Sequence, residues 1–187
     1  EIGYTMSTLS VNEITSQTGN NITVPATKKL IMTGGILQVL QGTSTTASSA
    51  ITDGNSLDAV SQAITPTLTS SKILIRCAVA VSGNTNAYGH GTLLRDSTAI
   101  GIGNNATGNR TNASFMLELN NYTYGTYRMH THHFEFLDSQ NTTSAITYKI
   151  RITSSSDTLY VNRPYTTGDS AIEVSPMSTI TLMEVGG

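Results

Sequence analysis

Charge is scarce in this sequence. Acidic and basic residues together make up 12% of it, about half the roughly 25% usual in globular domains. Ten basic and twelve acidic residues leave a net charge of −2, and no basic run is longer than Lys28-Lys29. A nucleic-acid partner demands a concentrated positive field, so that class is excluded. One cysteine, Cys77, excludes an intrachain disulfide framework and any multi-cysteine metal site. No apolar run approaches the roughly 20 residues that cross a bilayer as a helix, so no membrane insertion of that kind is expected. The acidic residues are scattered singly and no nucleophile motif surrounds any serine. The carboxylate pair or activated nucleophile of a hydrolase is therefore not visible, and the chain is read as non-enzymatic.

What fills the gap left by charge is Thr, Ser, Asn and Gly. Threonine suits a pleated, half-buried surface, while Ser, Asn and Gly supply turns. A chain of 187 residues buries roughly 70% of its unfolded surface, enough for one sandwich-sized domain. Aliphatic runs recur along its whole length, which separates it from a disordered composition. The expectation is an all-β protein of many short strands.

Two regions read differently. Residues 1–35 hold short apolar pieces (Leu9, Val11, Ile14, Ile22, Val24, Leu30, Ile31) cut by polar turns and Pro25. Such two-stranded pieces are marginal alone. They must dock on the following domain or intertwine with copies of themselves. Met6 is a candidate translation start, and Glu1 to Thr5 is either upstream sequence or the mark of processing. The Gly34-Gly35 pair marks the expected boundary.

Residues 36–187 are regular. Ile73, Ile75, Cys77, Val79 and Val81 alternate on one face, with Leu74, Arg76, Ala78 and Ala80 on the other. Residues 113–119 set Ala113, Phe115, Leu117 and Leu119 against Ser114, Met116 and Glu118. Residues 145–152 set Ile146, Tyr148, Ile150 and Ile152 against Thr147, Lys149 and Arg151. Period-two patterning at intervals, with turn residues between, marks a β-sandwich or barrel. About eight strands follow Ile36, a number that suits a jelly roll. The run Leu57 to Ile64 has the only helical spacing, two turns capped by Asp53 or Ser56. Gly101-Ile102-Gly103-Asn104 reads as a hairpin turn. Cys77 is read as a small buried apolar residue.

Several segments carry a resemblance. Ser7-Thr-Leu-Ser-Val-Asn-Glu-Ile-Thr, continuing to Ile22-Thr-Val-Pro, resembles the opening module of tail fibres of marine and cyanobacterial tailed phages. Ile64-Thr-Pro-Thr-Leu-Thr-Ser-Ser-Lys-Ile-Leu-Ile looks like the strand entry of the jelly-roll domain that often ends those fibres. Leu93-Leu-Arg-Asp is similar to that domain's central hairpin, and Ser178-Thr-Ile-Thr-Leu-Met-Glu-Val to its closing strand. The resemblance implies a virion-borne homotrimer, on the tail or capsid exterior, with no catalytic residues. Its partners would be its own copies and, through the N-terminal segment, other virion proteins. It implies a tail fibre or knob for host attachment, or alternatively a capsid decoration protein. A cellular lectin or glycan hydrolase is the reading from another class. On a trimer, the outward residues Leu74, Ala78 and Ala80 would suit the interface, unless that strand is buried on both faces within one subunit.

Two candidate sites follow. Residues 103–112 and 120–128 are both dense in polar binding-type residues, and Asn121, Tyr122, Tyr124 and Tyr127 lie in the second, a loop dense in Asn, Thr and Tyr. Tyrosine gives rigid amphipathic contact area and Asn adaptable hydrogen bonds, so this loop is the expected contact for a host surface glycan or receptor. His130 and His132 share one face of a strand, and imidazole ligates divalent metals. Some fibres resembling this chain hold a metal through His-x-His along the trimer axis, where three chains would supply six nitrogens. The alternative is packed, hydrogen-bonded histidines continuing the face of Phe134 and Phe136. No other cofactor is expected. His133 and Glu135, on the opposite face, are placed to form a charged pair.

Overall fold

The computed structural model describes residues 32–104, 107–119, 129–171 and 173–187. The chain divides between residues 31 and 32, and all that is described belongs to the second unit. The expected attachment segment therefore lies, up to residue 31, outside the described residues. These form ten strands and no helix: β1 (Ile36–Ser44), β2 (Ser56–Ile64), β3 (Lys72–Gly83), β4 (Tyr88–Arg95), β5 (Thr98–Ile100), β6 (Phe115–Glu118), β7 (Met129–Asp138), β8 (Ile146–Ser156), β9 (Leu159–Val161) and β10 (Ser178–Val185).

The strands make two antiparallel sheets. The first runs β1-β10-β3-β7, and the second β2-β8-β4-β5. Two short strands extend these orders. Because β8 occupies one edge of β4 along its length, β5 and β6 share the other, at Leu93–Arg95 and at Tyr88–Gly91 respectively. In the same way β9 continues along the edge of β3 that β10 leaves at Ala78. The sheets pack face to face, so the protein is an all-β sandwich.

The alternation read from the sequence explains the core. Ile73, Ile75, Cys77, Val79 and Val81 all turn inward from β3 and are buried, as are Ile146, Tyr148, Ile150 and Ile152 from β8. Ile180 and Leu182 of β10 and Leu93 of β4 meet them between the sheets. Each such side chain stabilises the fold by about 1.5–3 kcal/mol on burial, and β-branched residues at most of these positions suit extended backbone. Cys77 is buried as expected, and desolvation raises its thiol pKa to about 11.

Two expectations need correction. Leu57 to Ile64 is strand β2, not helix. A β-bulge between Asp58 and Val60 breaks the alternation, so Ala59 and Val60 are buried in succession. A bulge adds one residue to one strand, and the resulting spacing imitates a helical stripe. Gly101-Ile102-Gly103-Asn104 is not a hairpin turn either. The tight hairpin joins β4 to β5 through Asp96, whose φ of 55° is left-handed. Gly101 instead opens the long connection that carries the chain from β5 to β6 along the same edge of β4.

Three buried polar groups fix the frame. Asp138 at the end of β7 accepts from Arg95 Nη1 at 3.0 and 3.1 Å and from the Tyr148 hydroxyl at 2.7 Å, linking the two sheets. Asn162, buried with φ 59°, donates to the Ser44 and Thr46 carbonyls and accepts from Ser178 Oγ at 2.6 Å. Glu184 takes a core-facing position on β10 and has no exposed surface. Its carboxylate accepts from Gln38 Nε2 at 2.6 Å, from Thr67 N at 2.6 Å and from Thr67 Oγ1 at 3.0 Å. It thereby pins the β2–β3 connection to the end of the sandwich. Burial pushes the Glu184 pKa up, but the hydrogen bonds from Gln38 and Thr67 outweigh it and the net shift is downward.

A lowered folded pKa means that the unfolded chain binds this proton more readily. The stabilisation is therefore present above the ordinary value of 4.5 and is lost as pH falls through the folded value. Glu184→Gln is expected to cost about 2 kcal/mol at pH 7, the scale of hydrogen bonds to a charged group. In urea unfolding, its deficit against the unchanged protein should narrow below pH 4.5. A deficit independent of pH would show that ionisation of Glu184 contributes nothing.

Candidate functional site

The tyrosine loop comes first because the sequence points there. Asn121, Tyr122, Tyr124 and Tyr127 all lie in residues 120–128, outside the described residues. Its flanks are described. Leu119 is buried and donates its N–H to the Ala87 carbonyl, and Met129 opens β7 opposite Ser82.

The histidines lie on β7, with His130 opposite Val81 and His132 opposite Val79 on β3. His132 turns inward with Phe134 and Phe136. Its ring stacks on Phe115 of the other sheet, centroids 5.8 Å apart and planes 12° from parallel, and Phe115 lies 6.1 Å from Phe134. Gly91 makes room for this, since a Cβ there would lie 2.0 Å from the Phe115 ring. His130 is exposed, its ring 6.3 Å from that of His132. His132 Nε2 is buried and has no hydrogen-bond partner among the described residues. Burial, then the charges of His130 and His133, lowers the His132 pKa.

Both imidazoles share a strand face and His132 is held neutral, which fits nitrogen donors for a divalent ion. One chain supplies only this pair. Among the described residues no group of three His, Cys, Asp or Glu is placed to hold a metal. The charged pair expected of His133 and Glu135 is not the one formed. Glu135 stands opposite Arg76 on β3 and bonds its Nε at 2.8 Å. Both groups are more than half exposed, so the pair contributes little.

A further group lies on the outer face of the second sheet, where the polar segment 103–112 singled out in the sequence meets residues to which the sequence did not point. The chain between β5 and β6 lies beside β4 and leaves a groove of about 710 Å³, within the range of small-ligand sites. Its floor is His90, Met116 and Ser155, with Gly89, Gly103 and Ala113 adding little side-chain bulk. Its wall is Asn109, Arg110, Thr111 and Asn112. Met116 is 65% exposed. Arg110 Nη2 donates to Thr107 Oγ1. His90 Nδ1 lies 3.4 Å from Ser155 Oγ, and burial lowers its pKa. The first sheet's outer face has a smaller depression of about 370 Å³ between Arg76, Ala78, His133, Glu135, Thr179, Thr181 and Met183.

No protein-family model matches the chain, and no curated protein matches it at a significant level.

The His132 environment makes a prediction with a definite sign. A histidine whose folded pKa lies below the ordinary 6.5 binds its proton less readily when folded, so stability falls as pH drops through that range. His132→Phe keeps a ring against Phe115 and removes the titration. The melting temperature of this variant should fall less than that of the unchanged protein between pH 7 and 5. His90, shifted the same way, leaves a residual slope. Identical slopes would remove the buried imidazole from the account.

Proposed function

We propose that this chain is a non-enzymatic structural protein of a tailed-phage virion, a homotrimer of jelly-roll sandwiches used for host attachment. The observation that carries the reading is strand order. If β5 with β6, and β9 with β10, are each counted as one interrupted strand, eight strands remain, four in each sheet. From β1 to β4 the chain changes sheet at every step. It then runs β5-β6 at the edge of the second sheet, returns through β7, crosses to β8 and closes with β9-β10 inside the first. That order supports the jelly-roll reading, since two interleaved Greek keys of this kind make up the jelly rolls of viral capsids and lectins.

A feature of the first sheet's outer face supports assembly. Register aligns Val39 of β1, Met183 of β10, Leu74 of β3 and Leu137 of β7 in one row across all four strands. Val39 is 53% and Leu137 47% exposed. Leu74 and Ala78 are half-exposed, as an interface requires. Ala80 is not available to one. It is buried within the subunit, its N–H donating to Ser178 Oγ and its carbonyl accepting from Asn162 N. The metal reading of His130 and His132 belongs to this same trimer. It requires an axis that brings the β7 edges together.

Gold labelling of intact virions with an antibody against residues 36–187 tests location. Gold at the tail or fibre tips is the expected result. Gold over the head would replace attachment by capsid decoration, and unlabelled particles would overturn both and favour a cellular lectin. Light scattering behind a sizing column tests assembly. The unchanged chain should run as a trimer, and Leu74→Asp with Leu137→Asp should yield folded monomer, since a buried unpaired carboxylate costs several kcal/mol. A double variant that stays trimeric would remove this face from the interface.

A further inference from the structure

We infer that the groove between β4, β6 and the β5–β6 connection is a binding site for a carboxylated saccharide. The inference rests on the attachment reading and names the chemistry of what would be attached.

Three features of the lining select the ligand. The first is charge. Among the described residues that line the groove, Arg110 is the only one with a full charge, and no carboxylate is among them. His90 is kept towards its neutral form by burial, so it offers one ring donor and one acceptor. One guanidinium amid neutral hydrogen-bonding groups matches a ligand with one anionic group among many hydroxyls. A planar carboxylate is the natural partner, because the guanidinium fork fits it with two parallel bonds. The Thr107 contact on one arm holds that fork in a preferred plane.

The second feature is the floor. Met116 points to the solvent side of β6, in the alternation that sends Phe115 and Leu117 inward. A large apolar side chain on an outer face is an exception to the polar-out rule. It offers a soft, polarisable surface for the C–H face of a sugar ring. Gly103 adds no side chain beside it, and a Cβ there would stand in open space. A flat ring can thus approach the backbone.

The third feature is the density of short polar groups around that apolar patch. Asn109, Thr111, Asn112 and Ser155 ring the groove. Amide and hydroxyl groups of this kind exchange hydrogen bonds with sugar hydroxyls without needing charge. A phosphate would call for more than one cation, and an apolar ligand would forgo hydrogen bonding to Asn109, Thr111 and Ser155. A hexuronic acid within an oligosaccharide satisfies all three features.

The test uses the full chain with carbon-13 labelled methionine methyl groups, trigalacturonate as acidic probe and maltotriose as neutral one. Trigalacturonate should shift the Met116 methyl resonance and show saturation transfer. Maltotriose should bind at least about tenfold more weakly, and Arg110→Ala should weaken trigalacturonate binding by a similar factor. Arg110→Lys should recover only part, lacking the fork. Met116→Ala should weaken both probes. The other methionine resonances report whether each variant is folded.

Absence of a shift with trigalacturonate overturns the inference, as does binding that survives Arg110→Ala and Met116→Ala together. Equal binding of a short polyglutamate peptide would show an anion site without sugar recognition, and also overturns it. None of these outcomes depends on where gold falls on a virion. The groove can fail while attachment stands, and an acidic-sugar site on a head-bound protein would be visible as such.

Discussion

The two sheets are held in one relation by a single buried carboxylate. Asp138 ends the edge strand β7, and its oxygens take both the Tyr148 hydroxyl from the middle of the core and the Arg95 guanidinium from the end of β4. Arg95 and Tyr148 are register partners across β4 and β8. The triad therefore fixes the second sheet's own pairing and ties it to the first sheet's outermost strand. A fully buried tyrosine needs a partner for its hydroxyl, and a buried carboxylate needs a cation or several donors. Asp138 accepts from both, and the two donors together compensate its buried charge. Removing one partner of such a cluster costs about 3–5 kcal/mol, a large share of the 5–15 kcal/mol that holds a typical domain. The position of β7 depends on it, and so does the place of His132 against Phe115.

The sequence was most legible where one face is apolar and the other is not. The inward sets of β3, β6 and β8 follow from alternation alone, because a one-residue slip would turn every side chain of a strand over. The sandwich was readable for the same reason. Legibility failed where the backbone departs from strict alternation. The bulge in β2 puts Ala59 and Val60 inward together, and nothing local distinguishes that spacing from a helix. The buried carboxylates were hidden differently. Glu184 continues the Ile180 and Leu182 series and Asp138 the Phe134 and Phe136 series, but Thr67 lies 117 residues from Glu184 and the cation Arg95 lies 43 from Asp138. Pairing at such separation exists only in the fold.

For the candidate sites, composition and geometry coincide only at residues 103–112, which supply the groove's wall. Tyrosine density drew attention to residues 121–127, which are outside the described residues. Among its described lining residues the groove has no tyrosine, and it is marked by subtler signals. Met116 interrupts the polar face of β6, and Arg110 is the lone basic residue between Arg95 and Arg128. Both were visible in the sequence as exceptions. What joins them to His90 and Ser155 is the interruption of the edge strand between β5 and β6, a tertiary event with no local signature.

The outer faces of the two sheets are built for different company. On the second sheet Asp58 bonds Lys149 at 2.8 Å and Arg151 at 2.7 and 3.2 Å. These bonds outweigh partial burial and hold its pKa below the ordinary carboxylate value. Covering that cluster with another protein would strip water from three charges, and their mutual attraction seldom repays so large a cost. The first sheet's outer face bears the exposed Lys72 at the start of β3 and the pair Arg76 and Glu135, amid Thr179, Thr181 and the row from Val39 to Leu137. A like copy can lie against that row with one ion pair to desolvate, Lys72 at the strand's end left towards water, and apolar area to gain. An ion cluster that must stay wet suits a face that meets small, hydrated ligands. Desolvation cost therefore divides the molecule: the first sheet is the one that can assemble, and the second is left to make contact.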